Sequence, residues 1–410
     1  MIAIKSLSNN YKKIAIAITI VFNFIYSSEL PYILVVSFDG FRYDYTNLVD
    51  TPNFNDLAES GIKAESLIPV FPSLTFPNHY SIATGSYSGS HYITSNTFFS
   101  KVLNQKYSLY DKSAVRDAKF YRSEPIWVTA ERQGIRTASF YWVGSEAKIK
   151  GVYPSIYKNY DGSIPFKTRI DSVISWFELP DTKRPNLIML YFSEPDHTGH
   201  ETGPESKETF NSVSEMDALL GYLREKLKEL EIYQKLNLIV LSDHGMSSVS
   251  KDKLIILDEY ISDIENYIFD GSGTMLQINF KNKSDKNKLA EELKLIPNCD
   301  IFKKDDIPQR FHFNNLNTGD YLILANEGWF ITDSNNMTVK DFILKGMHGY
   351  DPNYPNMHGI FFAEGPNFKK GLVMPSFENI HIYSLLCKIF NIKPYKDIDG
   401  NVEIFLKYIN

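Results

Sequence analysis

Two cysteines in 410 residues, Cys299 and Cys387, exclude a disulfide-framed scaffold. They leave room for one bridge, formed only in an oxidising compartment, and the pairing cannot be read from the sequence. Basic surplus is also missing: 43 Lys and Arg stand against 49 Asp and Glu, a formal charge of -6, and no Lys/Arg block lies outside the N-terminus. A protein that tracks a nucleic-acid backbone carries the opposite balance, so a nucleic-acid polymer is not an expected partner. Long apolar runs are nearly as scarce. The N-terminus sets Lys12 and Lys13 ahead of "IAIAITIVFNFIY" and then Ser27 and Ser28, the charged, apolar and small-residue regions of a secretory signal. That run is short of the roughly 20 apolar residues that span a bilayer, so residues 1–28 read as a cleaved signal peptide. No later stretch is long enough to cross. The expected product is secreted and free of a membrane span, with sequons at Asn282 and Asn336 for a host that glycosylates.

What the chain does have is apolar mass, 43% of its residues, enough for one large core or two modest ones. The runs "YILVVSF" (32–38), "RTASFYW" (136–142), "NLIMLYF" (186–192) and "NLIVLS" (237–242) read as strands buried on both faces of a parallel sheet. Helix-period segments near 124–133, 165–178 and 205–231 separate them. The alternation predicts an α/β fold, doubly wound, with a mostly parallel central sheet and helices on both faces. Over 251–344 the texture turns to Lys, Asn and Asp, with strand-like "TMLQINF" and "DYLILAN" around a helix at 284–295. This predicts an inserted small α/β subdomain dividing a catalytic core of 29–250 and 345–410. The main sheet resumes near "GIFFAEGP" (359–366), and a last helix covers 378–390.

Sheets of this kind bind ligands beyond the carboxyl ends of their strands. There the chain places Asp39 in "SFDGFR", Asp196 and His200 in "EPDHTGH", and Asp243 and His244 in "SDHG"; His348 lies in the glycine-marked "MHGYD". One aspartate after a strand is usually a cap. Several carboxylates aimed at one crevice repel one another unless a cation sits among them, and a mixed Asp/His set suits two zinc-like divalent ions. Such paired ions clamp the attacking and leaving oxygens of a phosphoryl group. Nearby, "PSLTFPNHYSIATG" sets Thr75 four residues before His79, and the stretch alone leaves open whether Thr75 caps a helix or acts as a nucleophile.

With "SFDGFR", "FPSLTFPNHYSIATG", "SHYITSNTFF", "EPDHTGHETGP", "LSDHGM" and "HGYDPNYPNMHGIFFAEGP" in this order, residues 31–395 resemble the nucleotide pyrophosphatase/phosphodiesterase family of the alkaline phosphatase superfamily. The resemblance implies two zinc ions per chain, one held by Asp39, Thr75, Asp243 and His244, the other by Asp196, His200 and His348. It makes Thr75 the nucleophile of a covalent nucleotidyl intermediate and His79 scaffold. Pro77, near the first helical position, would mark a helix start whose positive end faces the phosphate. Asn96 matches the amide that donates to a non-bridging phosphate oxygen, assisted by backbone N–H groups near Thr75 and Phe76. Tyr92 and Ser100 depart from the glycine and aspartate common at their positions, so the Asn96 loop is expected to differ in shape. The family's histidine match falls on His348 rather than His358. His91, His197, His312 and His381 have no assigned role and read as loop or surface residues.

For the substrate, Phe76, Trp142 and Tyr160 match positions where aromatics stack a nucleotide base, although core packing is the ordinary use of such residues. Tyr191 either lines the pocket or packs in the core. The expected reaction is hydrolysis of nucleotide phosphodiester and pyrophosphate bonds to nucleoside 5′-monophosphates. Choline-type or lipid phosphodiesters on the same scaffold are the alternative, and a non-catalytic binding protein is disfavoured by the intact metal and nucleophile positions. A sulfatase is disfavoured too, since Thr75 cannot yield formylglycine.

Overall fold

The first apolar run becomes the strand Tyr32–Phe38, and its residues divide by parity. Ile33 and Val35 enter one core layer while Leu34 and Val36 enter the other. A strand covered on both faces has no solvent side, which is why the run carries no alternating polar residues. The structure, a computed structural model, describes residues 30–281, 286–334 and 342–410. The signal-peptide reading of 1–28 and the sequons at Asn282 and Asn336 fall outside those residues. Among the described residues no helix is long and apolar enough to cross a membrane.

Tyr32–Phe38 lies inside an eight-stranded sheet ordered Leu372–Met374, Ile62–Ala64, Phe361–Glu364, Leu236–Leu241, Tyr32–Phe38, Leu187–Phe192, Thr137–Phe140, Ile156–Lys158. Of these, Phe361–Glu364 alone runs against its neighbours, so the sheet is mostly parallel, as expected. The helices Thr75–Thr84, Ile126–Arg132 and His381–Phe390 cover one face; Pro52–Ser60, Phe166–Phe177 and Lys207–Lys228 cover the other. The α/β layering follows from those two apolar layers.

The stretch from 267 to 325 builds a second, antiparallel sheet ordered Tyr267–Ser272, Met275–Phe280, Tyr321–Ala325, Cys299–Lys303. The helix Lys286–Leu293 contributes Leu289 and Leu293 to its own core layer. Cys299 lies in this sheet and Cys387 in the helix His381–Phe390; both thiols are free, so the possible bridge is not made.

Candidate active site

Three neighbouring parallel strands end side by side, and each delivers an acid. Asp39 follows Tyr32–Phe38 directly, Asp196 opens the helix Asp196–Thr202 beyond Leu187–Phe192, and Asp243 and His244 come two and three residues after Leu236–Leu241. Gly40 makes the convergence possible. Its φ of 66° is left-handed, and a Cβ there would stand 2.7 Å from the Asp196 side chain. His200 sits one turn beyond Asp196 on the same helix, its Nε2 3.4 Å from Asp196 Oδ2. A two-residue antiparallel pairing of Ser247–Ser248 with Gly346–Met347 then carries His348 onto the His244 ring, with centroids 3.6 Å apart. The His348 Nε2 lies 3.2 Å from His200 Nε2 and 3.5 Å from Asp196 Oδ1. Thr75 closes the set with its Oγ1 3.2 Å from His244 Nε2.

Without a cation the three carboxyls of this cluster resist ionising together. Burial, then Asp243 and Asp196, drive the Asp39 carboxyl well above the usual carboxylate range; burial and then Asp196 do the same to Asp243. Burial opposes ionisation of Asp196 as well, but His200, His348 and His244 outweigh it and hold that group low. Burial works to lower His200, yet Asp196 carries it up to about 9, while burial pushes His348 down to about 4 and His244 well below its ordinary value. Asp39 Oδ1, Asp196 Oδ1 and Asp243 Oδ2 are buried with no hydrogen-bond partner. Once ionised, oxygens left without hydrogen bonds in this way are costly unless a cation takes them. Candidate metal-binding groups are Asp39, Asp243 and His244, and Asp196, His244 and His348, each with ligand atoms within 4.8 Å of one another. His244 belongs to both, so the geometry leaves the split expected from sequence undrawn. The donors are carboxylate and imidazole without thiolate, which fits a zinc-like divalent ion.

Behind the cluster, buried and half-buried side chains orient it. Tyr191 donates its hydroxyl to Asp39 Oδ2 at 2.6 Å, a role neither pocket lining nor plain core packing describes. His79 is fully buried, with Nε2 2.9 Å from Ser37 Oγ, Nδ1 2.9 Å from the Thr75 carbonyl oxygen and 3.2 Å from Asp243 Oδ2. The Thr75 hydroxyl faces His244 and its carbonyl faces His79, which matches the scaffold reading of His79. His358 bonds Ser66 and the Pro352 carbonyl and does not join the cluster.

The helix start differs from expectation. Thr75 is the first residue of the helix Thr75–Thr84, and its cap, Leu74, makes no side-chain bond, so Thr75 is not a cap. Pro77 stands at the third helical position, not near the first. The Phe76 N–H donates to Asn96 Oδ1 at 2.9 Å and is therefore not turned to a phosphate. Asn78 holds the turn instead, donating Nδ2 to the Leu74 carbonyl at 2.8 Å and accepting at Oδ1 from the Val70 N–H at 2.7 Å.

The aromatic candidates part company. Phe76 is half-buried, its ring edge-on to Tyr107 at 6.1 Å, and Tyr160 is 46% exposed beside Tyr141 at 5.1 Å. Trp142 is 1% exposed and donates its indole N–H to the His79 carbonyl, so it belongs to the core and offers no face to a base. The neighbouring Glu146 was missed: it accepts from the Tyr160 N–H at 2.7 Å and pairs with Arg116 at 2.9 Å. Its signal was its place in "YWVGSE", where an acid reads as an ordinary turn residue. His91, expected at a loop or surface, is buried against Ser81 at 2.9 Å.

Known proteins share this fold. The family described as type I phosphodiesterase/nucleotide pyrophosphatase matches residues 33–351. A venom phosphodiesterase of Naja atra is 37% identical over 372 residues, 88% of this chain and 44% of the relative, so the chain spans less than half the length of that relative. Human ectonucleotide pyrophosphatase/phosphodiesterase family member 5 is 36% identical over 91% of this chain and 78% of its own. The solved structure of murine ectonucleotide pyrophosphatase/phosphodiesterase 5 superposes with a TM-score of 0.87 at 35% identity, covering 92% of this chain and all of that one. A second structure of the murine protein, an inactive threonine-to-alanine form in complex with AMP, gives the same TM-score at 34% identity, covering 93% of this chain and all of that one. With its motifs in order and this fold around them, the chain belongs to the type I phosphodiesterase/nucleotide pyrophosphatase family.

Proposed function

We propose that the chain is a secreted phosphodiesterase and nucleotide pyrophosphatase with two zinc ions, releasing nucleoside 5′-monophosphates through a covalent threonine intermediate. The observation that carries this reading is the Thr75 hydroxyl, 3.2 Å from His244 at the rim of an Asp/His cluster in which Asp39 Oδ1, Asp196 Oδ1 and Asp243 Oδ2 are buried without a hydrogen bond. Asp39, Asp243 and His244 with Thr75 would hold one ion, and Asp196, His200 and His348 the other. Bound there, the ions supply the positive charge that ionises a hydroxyl at neutral pH and offsets the charge on the phosphate.

Thr75 Oγ, as its alkoxide, forms a bond to phosphorus while the bond to the leaving oxygen breaks and that oxygen departs with the electron pair. Water then attacks the same phosphorus and gives up a proton, the bond to Thr75 Oγ1 breaks with its electron pair left on that oxygen, and the nucleoside 5′-monophosphate leaves. Asn96 contributes an amide whose oxygen is fixed by the Phe76 N–H, leaving its Nδ2 as the donor end for a non-bridging oxygen. Phe76 and Tyr160 offer the aromatic faces for a base, with Glu146 fixing the backbone at Tyr160. The AMP complex of the murine relative and its inactive threonine-to-alanine form support both the ligand class and the nucleophile. The relatives' names, venom and ectonucleotide enzymes, support export. We assign 251–344 as an insertion between the core segments 29–250 and 345–410.

Zinc-loaded protein assayed on ATP, NAD and glycerophosphocholine tests the reading, with Thr75→Ala as control. Turnover of the nucleotides is expected to fall by at least about a thousandfold in the variant. Activity surviving in Thr75→Ala would sink the covalent mechanism, and hydrolysis of glycerophosphocholine alone would replace the nucleotide with a choline ester.

A further inference from the structure

Asp270 and Thr274 lie four residues apart on one β-hairpin of the second sheet, made by Tyr267–Ser272 and Met275–Phe280. Each reaches out of that sheet to a different segment, Asp270 to the hairpin that follows Asn96 and Thr274 to the backbone of His348. Asp270 is 9% exposed, and its Oδ2 accepts from the Phe99 N–H at 2.6 Å. Phe99 belongs to a small hairpin, Thr97–Ser100 with Gln105–Ser108, which Asn96 begins: the Asn96 carbonyl closes it by accepting from the Leu109 N–H at 3.0 Å. Tyr107 of the same hairpin is the ring against which Phe76 packs. The second sheet's loop adds further ties, since Asn317 Oδ1 accepts from the Val102 N–H at 3.1 Å and the Thr318 carbonyl accepts from Lys101 Nζ at 2.8 Å. The hairpin that presents Asn96 thus takes its placement from the second sheet as well as from the core.

The other end of the span points at the metal side. Thr274 donates its hydroxyl to the His348 carbonyl at 3.0 Å. The approach depends on Gly349, whose φ is 105° and where a Cβ would stand 2.3 Å from Thr274 Oγ1. His348 is fixed from its other side by Nδ1, 2.9 Å from the Ser73 carbonyl two residues ahead of Thr75.

We infer that the hairpin Tyr267–Ser272/Met275–Phe280 is a positioning element of the active site, with Asp270 fixing the Asn96 hairpin and Thr274 fixing the backbone of His348. The inference rests on the phosphodiesterase reading for its catalytic consequence but not for its structural one. A carboxylate receiving a backbone N–H in a nearly dry setting makes a strong, directional tie. The amide it serves must meet a phosphate oxygen within a fraction of an ångström, so a loosened hairpin costs transition-state stabilisation more than ground-state binding.

Wild type, Asp270→Ala, Asp270→Asn and Thr274→Val, all zinc-loaded, are compared by hydrogen-exchange mass spectrometry, zinc titration and steady-state hydrolysis of ATP. In Asp270→Ala the 96–108 segment is expected to exchange faster and kcat to fall roughly tenfold, with KM and zinc affinity unchanged. Asp270→Asn, which keeps an acceptor for Phe99, is expected to restore both. Thr274→Val is expected to leave exchange at 96–108 alone and to weaken zinc binding roughly tenfold. Unchanged exchange in Asp270→Ala, or faster exchange with unchanged kcat, overturns the Asp270 assignment; wild-type zinc affinity in Thr274→Val overturns the other. Should Asp270→Ala fail to fold, Asn317→Ala removes the neighbouring tie and is read the same way. If wild type leaves ATP intact while exchange and zinc binding respond as stated, the nucleotide reading fails and the positioning role stands.

Discussion

At the scale of single residues, Trp142 and Tyr160 carry opposite lessons. Both are aromatic, both follow strands of the main sheet, and sequence offers each to a nucleotide base. The Trp142 indole is sealed in the core and spends its N–H on the His79 carbonyl, whereas Tyr160 stands 46% exposed. Tyr160→Ala is therefore expected to raise KM for nucleotides about tenfold, from a stacking loss of roughly 1–3 kcal/mol, with an unchanged thermal midpoint. Trp142→Phe is expected to do the reverse, lowering the midpoint by several degrees and leaving KM alone. Kinetics and melting curves on the two variants check this, and a higher KM for Trp142→Phe at unchanged stability would return that residue to the pocket. Thr75 is a related case. Its type and place in the motif were legible, but its orientation toward His244 was not, because the direction of a side chain at a helix start depends on what packs beneath it.

Among elements, the strands of the main sheet were legible where they are long and buried on both faces. Tyr32–Phe38 falls where its apolar run predicted, and Leu187–Phe192 and Leu236–Leu241 fall within a residue. Ile62–Ala64 and Leu372–Met374 escaped notice because three residues hold no readable period. The reversed direction of Phe361–Glu364 escaped as well, since burial on both faces gives the same apolar run whichever way a strand points. The hairpin carrying Asp270 adds a pH dependence at this scale. Burial pushes that carboxyl from 3.8 up to about 6, against the pull of the Phe99 N–H and of Lys106 and Lys101; the residue paired beside it in the sheet, Gln277, is uncharged. A raised folded-state pKa means that the group's contribution to stability is fully present below the unfolded value of 3.8 and is lost as pH rises through about 6. Asp270→Asn should then be more stable than wild type at pH 7, by up to about 3 kcal/mol, with the gap closing toward pH 4. Denaturant melts at the two pH values decide it, and a gap that is the same at both would rule out the carboxylate as its source.

Over the whole molecule, the cluster makes stability depend on a cation. Asp39, Asp196 and Asp243 follow strands separated by up to about two hundred residues and meet with one oxygen of each buried and without a hydrogen bond. An ion that binds only the folded chain stabilises it by mass action, and removing it restores the repulsion among the carboxylates. Chelation is expected to lower the thermal midpoint and added zinc to recover it, as followed by calorimetry; a midpoint indifferent to both would argue against a metal in this cluster. The second sheet takes part in the same placement, since Asp270 ties it to the hairpin after Asn96 and Thr274 ties it to the backbone of His348.

The layered α/β fold, the family, and the set of acids and histidines beyond the strands are legible in the residues alone, because burial on both faces and motif order are properties of the chain read locally. It took the packing of distant segments to bring His244 within reach of both candidate ion groups, to set Tyr191 against Asp39, to bury Trp142 in the core, and to bond a remote hairpin to Phe99 and to the His348 backbone. Those outcomes depend on side chains from distant segments competing for the same space and the same hydrogen bonds. No local pattern of residues records which of them wins.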